Sequence, residues 1–241
     1  MRAILLLAGR EIGSYARSPI GYVVAAVTLL IEGIYFYAFG LGKGLLLSAQ
    51  VLALFFEGAA GASIIVAALL AMRLLAGERE AGTLVLLNTA PVRESEIVLG
   101  KFVAGLAFIA LLSALSIYMP ALIFVNGRVS LGHIAIGYLG VVLIGAAALA
   151  VGLFASAVAP NQVVAALLSG ALLGTLFLMF FVAPVTDAPI NTFLSGLAIF
   201  HVRQRSFMTG VLKLENVLYN VGVAYLFLLA ATKTLEARRW R

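Results

Sequence analysis

The residues able to do chemistry in this sequence are few and scattered. Glu32 and Glu57 are carboxylates inside long apolar runs. A charge near the middle of a bilayer costs on the order of 2.5–3.5 kcal/mol on insertion scales for Asp, Lys or Arg. A carboxyl there must therefore face protein, stay protonated or meet water. Glu32 falls near the centre of its run, whereas Glu57 lies nearer an end and can reach toward the interface. Two roles stand side by side for Glu32: a protonated carboxyl hydrogen-bonded inside a helix bundle, or a group on a transport path. His133 and His201 are the only histidines, with no H-E-x-x-H spacing, and there is no cysteine. A disulfide framework or thiolate metal site is therefore excluded, and a histidine–carboxylate site would need partners from distant loops. Gly100-Lys101 resembles the end of a P-loop, but Ser95 stands where the first glycine belongs and Phe102 where Ser or Thr should follow. The sequence predicts no ATP site in this chain.

The elements that position these groups belong to a membrane protein. Hydrophobic residues make up 63% of the chain and charged residues 11%, against about 25% charged in soluble domains. So little charge cannot cover a water-facing surface. The formal charge of +6 suggests nucleic acid, but the basic residues sit at the ends of apolar runs and form no patch, so no nucleic-acid partner is expected. A bilayer core of roughly 30 Å takes about 20 apolar residues as a helix. Such runs occur near 20–41, 51–72, 102–125, 134–157, 163–183 and 214–232. Residues 64–70 lack the alternation of a β-barrel strand, and helices satisfy their own backbone in lipid. The first run is too long for the apolar region of a signal peptide, about 7–15 residues, so a retained span is expected.

An even number of spans places both termini on one side. Eleven basic residues fall on that side, among them Arg2, Arg10, Arg17, Arg73 and Lys101, and five on the other: Lys43, Arg128, Arg203, Arg205 and Lys213. The positive-inside rule then predicts cytoplasmic termini. Residues 1–18 are expected to form an amphipathic helix on the inner surface, with Ile4, Leu5, Ile12 and Tyr15 toward lipid. Residues 184–213 are apolar in patches between and beyond Pro184 and Pro189 and suit short helices that dip back into the outer leaflet. Gly140, Ala148, Gly152 and Ser156 share one face of span four, and Ala166, Gly170 and Gly174 one face of span five. Stripes of this kind let helix backbones approach closely, within the chain or between subunits.

The segment 72–91 carries the strongest signal. Glu78-Arg79-Glu80 is expected to extend span two as a charged stalk. Gly82 can break it through a conformation open to glycine, and Thr83 can cap a following short helix. That helix presents Leu84, Leu86 and Leu87 with no apolar partner in the chain, and Pro91 stops it. Such an apolar knob at the membrane surface suits a partner with a hydrophobic groove or, alternatively, an interfacial turn held by lipid.

On these residues the chain resembles the ABC-2 class of ABC transporter permeases, in its gliding-motility and nitrous-oxide-type branch. The segment 72–91 is similar to that class's M-R-x-x-x-x-E-x-x-x-G-T-L-x-x-L-x-x-x-P pattern, and Ile97-Val98-Leu99-Gly100-Lys101 to its entry into span three. Arg10-Glu11 through Ser18-Pro19-Ile20-Gly21-Tyr22 resembles the gliding-type opening. Gly152-Leu153-Phe154-Ala155-Ser156 followed by Asn161-Gln162-Val163-Val164-Ala165 resembles the join of spans four and five. Gly77 departs from the pattern where many relatives carry an acid, and Glu32 belongs to no motif of the class.

The resemblance implies an all-α membrane fold and a single permease domain over 1–241. That domain has six spans, an N-terminal amphipathic helix, a cytoplasmic coupling helix and an external re-entrant segment before the last span. It implies that Glu78, Glu80, Gly82, Thr83, Leu84, Leu86, Leu87 and Pro91 couple to a separate ATPase, which binds ATP and Mg while this chain holds no cofactor. It also implies a second permease chain, identical or related, with spans two and five lining the route between them. Glu32, Glu57, Gly170 and Gly174 are the candidates for that route. A bacterial or archaeal plasma membrane is the expected location. Two functions fit: an ABC exporter permease, or a membrane subunit that passes ATPase motion to an envelope or motility machine, with an accessory envelope subunit as a further partner.

Overall fold

A computed structural model describes residues 2–41, 46–83, 92–200 and 203–239. Among these, every regular element is a helix. The α-helices in chain order are α1 (Arg2–Arg17), α2 (Pro19–Tyr35), α3 (Ser48–Leu74), α4 (Ala76–Glu80), α5 (Glu94–Leu115), α6 (Tyr118–Asn126), α7 (Leu131–Val158), α8 (Gln162–Val182), α9 (Ile190–Leu197), α10 (Arg205–Met208) and α11 (Leu214–Arg239), with a π-helical stretch, Phe36–Leu41, after α2 and a 3-10 turn, Ala183–Val185, after α8. Among the described residues, six stretches are long and apolar enough to cross a bilayer: Pro19–Gly40, Ser48–Glu80, Glu94–Phe124, Leu131–Val158, Gln162–Val185 and Leu214–Arg238. Each overlaps one expected span. The fold is an all-α membrane protein.

The fourth span is the hub. In the most apolar stretch of α7, 78% of residues are buried, against 17% in α8 and 22% in α2 and α11. It packs on α3, α5, α8, α10 and α11. Between lipid-embedded helices no hydrophobic force operates, so close van der Waals contact and polar bonds hold the bundle. The small residues of α7 make that contact possible. A Cβ on Gly137 would stand 2.1 Å from the Phe56 ring, and one on Gly152 would stand 2.6 Å from the Ala71 Cβ. Gly140 lies against Phe207 and Gln204 of the α9–α10 region. The span-four stripe thus packs within the chain.

Span three is not continuous. α5 ends at Leu115, and α6 starts at Tyr118 after a turn at Ser116 and Ile117. Pro120 explains the break: it has no N–H to give the Ser116 carbonyl, and its ring displaces that carbonyl from the helical ladder. The Ser116 carbonyl instead accepts from the Met119 N–H at 3.0 Å.

One expectation about the flanking segments changes in part. In α1, Leu5 and Ile12 are exposed as expected, but Ile4 and Tyr15 turn toward protein. Leu7 and the Ile4 carbonyl press on Gly100 of α5, and Tyr15 packs on Phe108 with ring centroids 5.2 Å apart. The amphipathic helix is docked on span three, not only laid on a surface. The segment 184–213 folds back on the bundle, α9 against α8 and α10 against α7 and α3. Ile199, Phe200 and Phe207 are buried in protein, while Phe193 and Leu197 stay exposed.

Candidate functional site

The stalk that ends span two is built from one loosened turn. At Leu75 the backbone leaves ideal helical geometry (φ −117°, ψ −44°), which separates α3 from α4. The N–H groups freed there are buried and need acceptors. Ser156 of α7 supplies one oxygen for two of them, accepting from Leu75 N at 3.2 Å and Ala76 N at 2.9 Å. Arg79 then donates to the carbonyls of Ala157 (3.0 Å) and Ala159 at the C-terminal end of α7. Arg238 of α11 donates to Val158 at the same end. Two guanidinium groups therefore satisfy orphan carbonyls at the negative end of a helix dipole.

α4 closes as a Schellman motif. The Gly82 N–H donates to Arg79 O at 3.1 Å, the Thr83 N–H donates to Glu78 O at 2.9 Å, and Gly82 takes φ +71°. Only glycine enters that conformation without strain, so the sequence assignment of Gly82 as a breaker holds. Among the described residues the Thr83 hydroxyl donates back to Glu78 O at 3.2 Å, and the helix it is expected to cap lies outside them. Leu84, Leu86, Leu87 and Pro91 lie outside the described residues.

Glu78 and Arg79 of the stalk are half-buried, whereas Glu80 is exposed. Lys101 of α5, 2% exposed at its side chain, places Nζ 2.9 Å from Glu78 Oε1 and 2.7 Å from Glu11 Oε1 of α1. Arg10 adds a contact of 3.0 Å to the same Glu78 oxygen. Glu80 Oε2 accepts from the Gln162 N–H at the start of α8 at 3.4 Å. Two cations and two carboxylates thus tie α1, α4 and α5 around a polar cavity of about 360 Å³. Beside it, burial and the neighbouring Glu11 carboxylate push the Tyr15 hydroxyl above its ordinary value. Sequence reasoning missed this cluster because Glu11, Glu78 and Lys101 are far apart along the chain. The available signal was Lys101 itself, a lone cation within an otherwise apolar run from Ile97 to Leu106.

The candidates for a transport path do not converge. Glu32 is 5% exposed, beside the Ser116 hydroxyl at the span-three break. Ser116 Oγ lies 3.1 Å from Tyr138 OH, and Glu32 Oε2 is buried with no hydrogen-bond partner among the described residues. Glu57 is half-buried with its charge near Tyr35. Gly170 and Gly174 instead border an apolar groove of about 480 Å³ between α3 and α8, with Ile65, Leu69 and Phe177 among its walls. Neither carboxylate lines it. A Cβ on Gly170 or Gly174 would meet nothing within 4 Å. Among the described residues, no three His, Asp or Glu side chains converge on a point that could hold a metal.

A bundle of this form, with a docked N-terminal helix and a pinned stalk, agrees with one family model, the ABC-2 type transporter, which matches residues 2–211. The chain belongs to the ABC-2 type transporter family. It is a multi-pass integral membrane protein of a class that is not itself catalytic, and membership implies partnership with an ABC ATPase subunit. No curated protein matches it.

Proposed function

We propose that this chain is the permease subunit of an ABC exporter in the gliding-motility and nitrous-oxide-type branch, forming one domain over 1–241. A separate ATPase subunit binds ATP and Mg and docks on the short helix that begins after Thr83. Leu84, Leu86 and Leu87 enter its groove, and Pro91 ends the contact. Glu78, Glu80, Gly82 and Thr83 connect that helix to the bundle. The protein lies in a bacterial or archaeal plasma membrane with both termini in the cytoplasm. A second permease chain, identical or related, packs along the α3–α8 groove at Gly170 and Gly174.

The observation that carries this reading is the rigidity of the stalk. The stalk that leads to Gly82 is fixed to α7 through Ser156 and Arg79, and to α1 and α5 through Glu78. A push delivered beyond Gly82 therefore reaches three elements at once, which is what coupling an ATPase to membrane helices requires.

The test is co-purification of the ATPase with Leu84→Asp and Leu87→Asp variants. Burying a leucine contributes roughly 1.5–3 kcal/mol, and each aspartate also brings a carboxylate into an apolar groove. A loss of about 3 kcal/mol is more than a hundredfold in affinity, enough to strip a micromolar complex. A Leu168→Asp control, which packs against the cluster of Ala76, Ala159 and Ala165, should lower expression instead. If both loop variants keep a full complement of ATPase and normal stimulated hydrolysis, the coupling assignment is wrong.

A further inference from the structure

On the face of the bundle opposite both termini, the segment before α11 encloses a pocket of about 450 Å³. Arg203, Arg205 and Lys213 line it with three cations, against a single carboxylate from Glu215. These are three of the five basic residues assigned to that side of the membrane. Lys and Arg are sparse on the translocated face of membrane proteins, so their concentration in one pocket calls for a local cause.

The pocket is built, not incidental. Arg203 pairs with Glu215 and lies 4.9 Å over the Tyr219 ring, whose hydroxyl donates to the Leu197 carbonyl at 2.8 Å. Asn216, 5% exposed, donates to Ser206 Oγ at 2.6 Å. Those contacts fix one wall and neutralise Arg203. Arg205 and Lys213 have no ion pair among the described residues, and both are exposed. The pocket thus keeps two uncompensated positive charges. Its rim is apolar: Val211 lines it, and Leu212, Leu214 and Leu218 stand exposed next along the chain.

We propose that this pocket binds the phosphate of an acidic phospholipid headgroup from the adjacent leaflet. Arg205 and Lys213 contact the anion, and the acyl chains lie along Leu212, Leu214 and Leu218. Two cations facing one anion give charge complementarity, and the flanking leucines favour an amphiphile over a free ion. The assignment holds whatever the chain transports and whichever subunit drives it.

The test uses the full chain in detergent. Saturable binding of short-chain phosphatidylglycerol is followed by intrinsic fluorescence, with phosphatidylcholine and inorganic phosphate as comparison probes. Each Lys or Arg near a membrane anion contributes about fivefold in affinity, so R205Q/K213Q should weaken phosphatidylglycerol binding about thirtyfold. R128Q, an exposed cation on the same face outside the pocket, should leave it within about twofold. Both substitutions lie at exposed positions, and gel filtration checks that the fold is kept. If the double variant misfolds, R205Q and K213Q singly should each show the roughly fivefold loss. Equal affinity for phosphatidylcholine, or undiminished binding in the variants, overturns the site. Inorganic phosphate binding as tightly as the lipid overturns the lipid assignment and leaves a soluble anion as the occupant.

Discussion

Glu78 Oε1 stands 2.9 Å from Lys101 Nζ, and through that pair span three holds the stalk that ends span two. Lys101 also holds Glu11 at 2.7 Å, so one nearly inaccessible ammonium joins three elements. Removing one partner of a buried ion pair costs more than the pair gains, because the charge left behind is neither solvated nor compensated.

Glu11→Gln with Glu78→Gln should therefore destabilise the protein by about 3 kcal/mol or more. Each single substitution should cost clearly less, since Lys101 keeps the other carboxylate. Thermal unfolding in detergent measures all three variants. A double variant within about 0.5 kcal/mol of the parent, the range of ordinary surface substitutions, would show that water enters the cluster and that it is not a clamp.

The two glycine stripes should respond oppositely. Gly152→Val forces atoms into the 2.6 Å gap before Ala71 and should destabilise the fold by about 1–3 kcal/mol. Gly170→Leu and Gly174→Leu meet open space and should leave the isolated fold intact. If the α3–α8 groove receives a second permease chain, they should lower the dimer fraction measured by light scattering. Monomeric parent protein, or dimers unaffected by both variants, removes the groove as the interface.

Much of the bundle was legible because lipid imposes a simple rule: each span needs about 20 apolar residues. Charged groups mark the ends, and the six expected runs fall on the six helices that can cross a bilayer. The break at Ser116 was not legible. Pro120 was visible, but proline is tolerated inside membrane helices when neighbours satisfy the freed backbone groups, so its presence alone did not place a turn. The ionic clamp was hidden for another reason. Glu11 and Glu78 are carboxylates far apart along the chain from Lys101, a lone cation in an apolar run, and only the docking of α1 on α5 brings the three together. At the stalk, Gly82 was legible because its left-handed backbone follows from local chemistry, whereas the role of Ser156 depends on a contact across the bundle.

Orientation can be tested without background because the chain contains no cysteine. Ser95→Cys, in the first turn of α5, should react only with thiol reagents that cross the membrane. Ser130→Cys, exposed just before α7, should react with impermeant ones. The reverse pattern in intact cells would invert the topology and move the proposed ATPase contact to the wrong side.

The last prediction concerns Glu32. Only Gly21, Thr28 and Glu32 of α2 are buried, whereas Val23, Val27, Leu30 and Ile34 are exposed. This helix therefore turns its small and polar residues inward and its apolar ones outward, as lipid permits. No ion pair to Glu32 occurs among the described residues, and its neighbour is a hydroxyl. Glu32→Gln keeps shape and hydrogen-bonding capacity, so it should fold normally, with a stability change no larger than the roughly 1 kcal/mol typical of point substitutions. Glu32→Lys should fail to accumulate, since a longer cation replaces the carboxyl in a site that supplies no anion. A double-mutant cycle of Glu32→Ala with Ser116→Ala should give a coupling of about 0.6 kcal/mol, and at most about 1.7, the range for hydrogen bonds between membrane helices. Transport in proteoliposomes then separates the two roles open for this residue. Normal transport by Glu32→Gln, together with the coupling, makes Glu32 a packing group at the span-three break. A folded Glu32→Gln protein that hydrolyses ATP through its partner but no longer moves substrate places the carboxyl on the path. Zero coupling with normal transport would remove Glu32 from both.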